Sequence, residues 1–166
     1  MAITRLGVNN ISNSTIANIT ALPAAITTGK VLQVVQMKSA TSTSTTSSSF
    51  VDTSLTLAIT PSSSTSKVLI VSSFTGGNNT SEQGASFTIE RGSTNLGNGT
   101  NGFSNNNDNC DGYHHNNVCL TFLDSPNTTS ATTYTIQMRS RNSGSCVINT
   151  NDTEGVLILQ EIAAWL

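Results

Sequence analysis

From Lys30 onward the apolar residues recur at every second position in short bursts, the period of a strand with one face in a core and the other in water. Val31-Leu32-Gln33-Val34-Val35-Gln36 opens the series. Leu55, Leu57 and Ile59 then alternate with Thr and Ala, and Pro61 with the serine-rich run after it turns the chain into Val68-Leu69-Ile70-Val71. The same alternation returns at Ala85, Phe87 and Ile89, at Val118, Leu120 and Phe122, and at Tyr134, Ile136 and Met138. Val147-Ile148 adds a short strand, and Val156-Leu157-Ile158-Leu159 begins the last one. No segment after residue 30 has the 3.6 period over the length of a helix. About eight strands divided by turn-forming clusters predict an all-β fold, an eight-stranded jelly-roll-like sandwich over residues 30–166.

Residues 1–29 behave differently. Ile3, Leu6, Val8, Ile11, Ile16, Ile19 and Leu22 are spread among Asn, Ser and Thr, and Pro23 and Gly29 close the stretch. The spacing matches neither a helix nor a strand, and such a segment is a poor folding unit alone. It reads as an extended arm whose apolar residues dock on a neighbouring subunit or a larger assembly. A disordered tail or an ordinary first strand is the competing reading.

The C-terminus, GVLILQEIAAWL, places apolar groups on both faces of one strand. In a two-sheet sandwich one face meets the core, and the other needs a cover from outside. Leu157, Leu159, Ile162 and Trp165 are therefore the candidate subunit interface, with Trp165, the only Trp, as its anchor. Cover by an N-terminal segment of the same chain is the alternative.

Composition narrows the role. Only 10% of residues are charged and the formal net charge is −2, against roughly a quarter charged in an average soluble domain. Nucleic acid is thereby a poor partner. Ser and Thr supply solubility on the wet face of strands without charge, which suits a component packed in many copies, where like charges would repel across symmetric contacts. No run of apolar residues reaches the length of a membrane span and no signal peptide opens the chain, so neither a membrane nor secretion is expected, and a cytosolic origin is. The Asn-x-Ser/Thr triplets are what so much Asn, Ser and Thr produces by chance. Cys110, Cys119 and Cys146 are odd in number and lack metal spacing, and so are expected as reduced thiols.

Candidate chemistry is confined to NNNDNCDGYHHNN, residues 105–117. Asp108, Asp111, Tyr113, His114 and His115 are the candidate exposed recognition loop. The stretch lacks the final Glu of a helix-loop-helix calcium site, and adjacent histidines on extended chain point in opposite directions, so no metal is expected. No catalytic signature occurs among the many serines. Glu90 with Glu161, or Asp108 with Asp111, could be posed as glycosidase carboxylates, but Glu90 is expected to pair with Arg91, Arg139 or Arg141. Neither an enzyme nor a cofactor is expected.

Three stretches carry a resemblance: GKVLQVVQ at 29–36, SSFVDTSLTLAITPSSSTSKVLIVSSF at 48–74 and the terminal strand VLILQEIAAW. Together they resemble a module of virion structural proteins of tailed bacteriophages, notably marine and cyanobacterial phages. There a lysine-led strand, a Y/F-V-D-T-G/S-L step and ITPSS-x-S-K-V/I-L-V follow in this order. The opening MAITRLGVNNISNSTI is similar to the start of tail-fibre or head-associated proteins. The resemblance covers roughly half the chain and leaves residues 76–150 unmatched. It implies a jelly-roll-like homotrimer on the virion surface, assembled in the host cytoplasm, with major capsid or tail proteins as partners. Without a collagen-like shaft or long coiled coil, a capsid decoration or cement protein is favoured over a tail fibre. The alternative is a receptor- or carbohydrate-binding tip of a tail fibre, facing a host surface receptor.

Overall fold

The computed structural model describes residues 30–79, 84–107, 114–142 and 144–164, and residues 30–164 fall in one compact unit. Every regular element among the described residues is a strand: β1 (Val31–Ser39), β2 (Thr43–Thr45), β3 (Val51–Ile59), β4 (Lys67–Asn78), β5 (Gly84–Arg91), β6 (Thr94–Asn95), β7 (Ser104–Asn107), β8 (His114–Asp124), β9 (Thr132–Arg141), β10 (Cys146–Ile148) and β11 (Gly155–Ile162). They form two antiparallel sheets packed as a β-sandwich.

Eleven strands replace the eight expected because three tracks are interrupted. β11 and β10 pair successively with the same edge of β4, while β1 and β2 pair with β11 and β10 in turn. In the second sheet β6 and β7 share one edge of β5. The first sheet, sheet A, therefore runs β1/β2, β11/β10, β4, β8, and the second, sheet B, runs β3, β9, β5, β6/β7. This is the eight-track jelly-roll order, with chain neighbours repeatedly placed in opposite sheets. The breaks are polar excursions: Asn149, Asn151 and Asp152 adopt left-handed backbone between β10 and β11, a region Asn and Asp tolerate better than most residues.

The core follows the period-two pattern. Leu55 and Ile59, Val68, Ile70 and Phe74, Ala85, Phe87 and Ile89, Val118 and Leu120, Tyr134, Ile136 and Met138, and Leu157 and Leu159 are all buried in one cluster. Each full-sized apolar side chain contributes about 1.5–3 kcal/mol by leaving water. At the centre Phe74 and Phe87 meet edge to face across the two sheets, with centroids 5.2 Å apart. Gly76 makes room for that pair, since a Cβ there would approach Phe87 Cζ to 2.7 Å.

Burial corrects the expectation for the last strand. Leu157 and Leu159 have no exposed surface and belong to the core of this one chain, so they are not interface residues. The strand's outward face is Val156, Ile158, Gln160 and Ile162, each half-buried. Ile162 keeps the outward position expected of it. Trp165 and the arm residues Ile3, Leu6, Val8, Ile11, Ile16, Ile19 and Leu22 lie outside the described residues.

Candidate functional site

The outer face of sheet A is unusually apolar. Register places Val31 beside Ile162 and Lys67, Val34 beside Gln160, Leu69 and Leu123, Gln36 beside Ile158, Val71 and Thr121, and Lys38 beside Val156, Ser73 and Cys119. Two adjacent rows thus carry Val34, Leu69, Leu123, Ile158 and Val71 with no charge among them. Val31, Leu32, Val34 and Leu123 are 53, 47, 54 and 48% exposed and make up four of the five exposed large hydrophobics among the described residues. Charges stand only at the border, where Lys67 donates to Ser125 Oγ at 2.8 Å and Lys38 pairs with Glu154 at 2.6 Å. Contiguous apolar patches with a polar rim occur at protein or membrane contacts and in ligand grooves.

Sequence reasoning placed this surface on β11 alone and missed β1, β4 and β8. The signal was available, because Val31, Leu32, Val34 and Val35 occupy both parities of β1, as do Phe122 and Leu123 of β8. A strand apolar in both parities has an apolar outer face as well as an inner one.

Two buried carboxylates at the same end of the sandwich explain how β1, β8 and β11 are held. Glu161, fully buried, faces inward, and its Oε1 accepts from the Ser62 amide and Ser62 Oγ, both at 2.7 Å. Its Oε2 accepts from Gln33 Nε2 at 2.6 Å. Burial alone would raise its pKa, but the hydrogen bonds from Ser62 and Gln33 outweigh it and hold the carboxyl down at about 2. Asp124 receives Arg91 Nη1 on both oxygens at 2.8 Å and the Tyr134 hydroxyl at 2.7 Å. Burial first and then this hydrogen bond drive the Tyr134 pKa well above its ordinary value.

The arginines expected for Glu90 are engaged elsewhere. Arg91 holds Asp124, Arg139 Nη1 donates to the Ser48 carbonyl and its guanidinium lies over the Phe50 ring, and Arg141 donates to Asn101. Glu90 stands instead with Asp52 and Gln137, and its pKa is raised, by burial and then by the Asp52 charge. The posed pair of Glu90 with Glu161 is not assembled, since the two belong to different sheets and have separate hydrogen-bond partners.

The 105–117 stretch is less of a loop than expected. Ser104–Asn107 is β7, and His114 to Asn117 continue β8 opposite Asn78 to Thr75. The ladder extends this far because Gly77 has no Cβ, which would collide with the His114 carbonyl. His114 and His115 are consequently half-buried strand residues, not an exposed loop. Asp108, Asp111 and Tyr113 lie outside the described residues. No group of three His, Cys, Asp or Glu among the described residues could hold a metal ion. Cys119 is an exposed free thiol and Cys146 a buried one, its pKa pushed up to about 12 by burial.

No protein-family model matches the chain, and no curated protein matches it significantly.

Proposed function

We propose that this chain is a structural building block of a virion surface, a homotrimer that decorates or stabilises the particle by packing against copies of itself and against capsid or tail proteins. One observation carries the self-assembly half of this reading: the apolar outer face of sheet A, where Val31, Val34 and Leu123 are about half exposed on a single subunit. A lone sandwich would leave that face to water, and a second copy is the natural cover because symmetric contact matches an uncharged patch to another without repulsion. The virion half is supported by the resemblance of residues 29–36, 48–74 and the terminal strand to phage structural modules, and by a sequence in which 10% of residues are charged. Residues 1–29, with Arg5 as their one charge, are the segment proposed to dock on the particle.

Sedimentation equilibrium of the purified chain tests the first half, with a trimer expected and Val34→Asp shifting the population toward monomer. A wild-type monomer at all concentrations would refute it. Particle incorporation tests the second, since deletion of residues 1–28 is expected to abolish it while leaving the sandwich folded.

A further inference from the structure

The outer face of sheet A changes character along its length, from the apolar rows near Val31 and Leu123 to a polar hollow at the opposite end. There a pocket of about 350 Å³ is lined by Asn79, His115, Thr150 and Asn151. Three elements meet in it. His115 comes from β8, Asn79 directly follows β4, and Thr150 and Asn151 come from the excursion between β10 and β11. Gly77, the β4 residue opposite both His115 and Val147, contributes no side chain, so the excursion reaches across β4 to β8.

Hydrogen bonding fixes which polar atoms remain. His115 Nε2 lies 2.6 Å from Asn79 Oδ1 and His115 Nδ1 lies 3.1 Å from Thr150 Oγ1. A carbonyl oxygen only accepts, so Nε2–H donates to Asn79 Oδ1, while Nδ1 and the Thr150 hydroxyl share the second hydrogen bond. The Asn79 Nδ2 hydrogens have no protein partner among the described residues, Thr150 Oγ1 keeps lone pairs, and the exposed Asn151 offers both an amide donor and an acceptor. Asn151 is held at φ 56° and its neighbours Asn149 and Asp152 at φ 51° and 58°.

We infer that this pocket binds a neutral polyhydroxyl ligand, one sugar unit, through Asn79, Thr150 and Asn151 with His115 holding the first two in place. Among the described residues the lining offers donors and acceptors in mixture and no charged side chain, which suits hydroxyl groups better than a cation or an anion. The volume lies at the small end of ligand sites, about 300–1,000 Å³, which fits a single ring. The inference does not depend on the virion reading, since all four of these residues come from one chain.

Titration of the full-length, isotope-labelled chain with D-glucose, D-galactose and N-acetyl-D-glucosamine tests it by amide chemical shifts, with inorganic phosphate as the charged comparison. At least one sugar is expected to shift Asn79, His115, Thr150 and Asn151 with millimolar affinity. Thr150→Val, which keeps the side-chain shape, and Asn151→Gly, which keeps the left-handed backbone, should each weaken binding about tenfold. A glycan array distinguishes the sources: retention of oligosaccharides beyond what the free unit's affinity predicts assigns the ligand to a surface glycan, and equal affinity assigns the free sugar. Absence of shifts at these four residues with every sugar, unchanged affinity in both variants, or shifts with phosphate alone would overturn the proposal.

Discussion

The Tyr134 hydroxyl donates to Asp124 Oδ2 over 2.7 Å, and the bond runs between the sheets, from β9 in sheet B to the last residue of β8 in sheet A. Arg91, from β5, closes on the same carboxylate. Tyr134→Phe removes a donor but leaves Asp124 its arginine, so it should cost about 1–2 kcal/mol in urea unfolding. Asp124→Ala strands both a buried hydroxyl and a partly buried guanidinium, and should cost about 3–5 kcal/mol. The double variant should cost clearly less than the two losses added together, and full additivity would mean the residues do not act as a unit.

Glu161 sets the acid limit of stability. Its carboxyl is held at about 2 in the folded chain against an ordinary 4.5. A folded pKa below the unfolded one means that the unfolded chain takes up protons first as pH falls. The contribution is therefore whole above pH 4.5 and drains away as pH drops toward 2, on the order of 2–3 kcal/mol in all. Unfolding free energies of wild type and Glu161→Gln should converge across that window and run parallel above pH 5. Curves parallel down to pH 2 would show that Glu161 titrates normally.

Much of this architecture was legible beforehand. Every strand that carries two or more core side chains was read from alternation or from a short apolar run, because burying one face of a pleated ribbon writes itself into the sequence with period two. What escaped were β2, β6 and β7, made of Thr, Ser and Asn, whose pairing is decided by the strand beside them and leaves no apolar trace. The assignment of Leu157 and Leu159 to an interface failed because Val156 to Leu159 are apolar in both parities, and sequence does not say which parity faces in. Register does, by placing Glu161 on the same face as Leu157 and Leu159 and tying it to Gln33 and Ser62. The pocket had no distinct signal at all, since Asn and Thr are abundant throughout and only the fold brings Asn79, Thr150 and Asn151 to His115.

The thiols should separate by reactivity. Cys119 lies on the outer face of β8 and is exposed, while Cys146 is buried with its pKa pushed up to about 12. The thiolate is the reacting form, so in a Cys110→Ser background an aromatic disulfide reagent at pH 8 should titrate one thiol in the native chain and two in denaturant. Because Cys119 borders the apolar patch beside Ser73 and Val156, assembly should slow its reaction as protein concentration rises. Concentration-independent labelling would place the subunit contact on another face.

Neighbouring residues of β11 offer the sharpest separation of folding from assembly. Leu157 is fully buried in the core and Ile158 points outward from the same strand, beside Gln36 and Val71. Leu157→Ala should lose transfer energy and leave a cavity, destabilising the chain by about 2–5 kcal/mol. Ile158→Ser opens no cavity in the sandwich, so the stability of the isolated subunit should change by less than about 1 kcal/mol. Its effect belongs in the association constant, since it puts a hydroxyl in the middle of the uncharged rows formed by Val34, Leu69, Val71 and Leu123. Chemical unfolding at low concentration and sedimentation at high concentration read the two quantities apart. If Ile158→Ser leaves the oligomer untouched while Leu157→Ala unfolds the chain, the outer face of sheet A is simply wet, and the apolar rows lie outside the subunit contact.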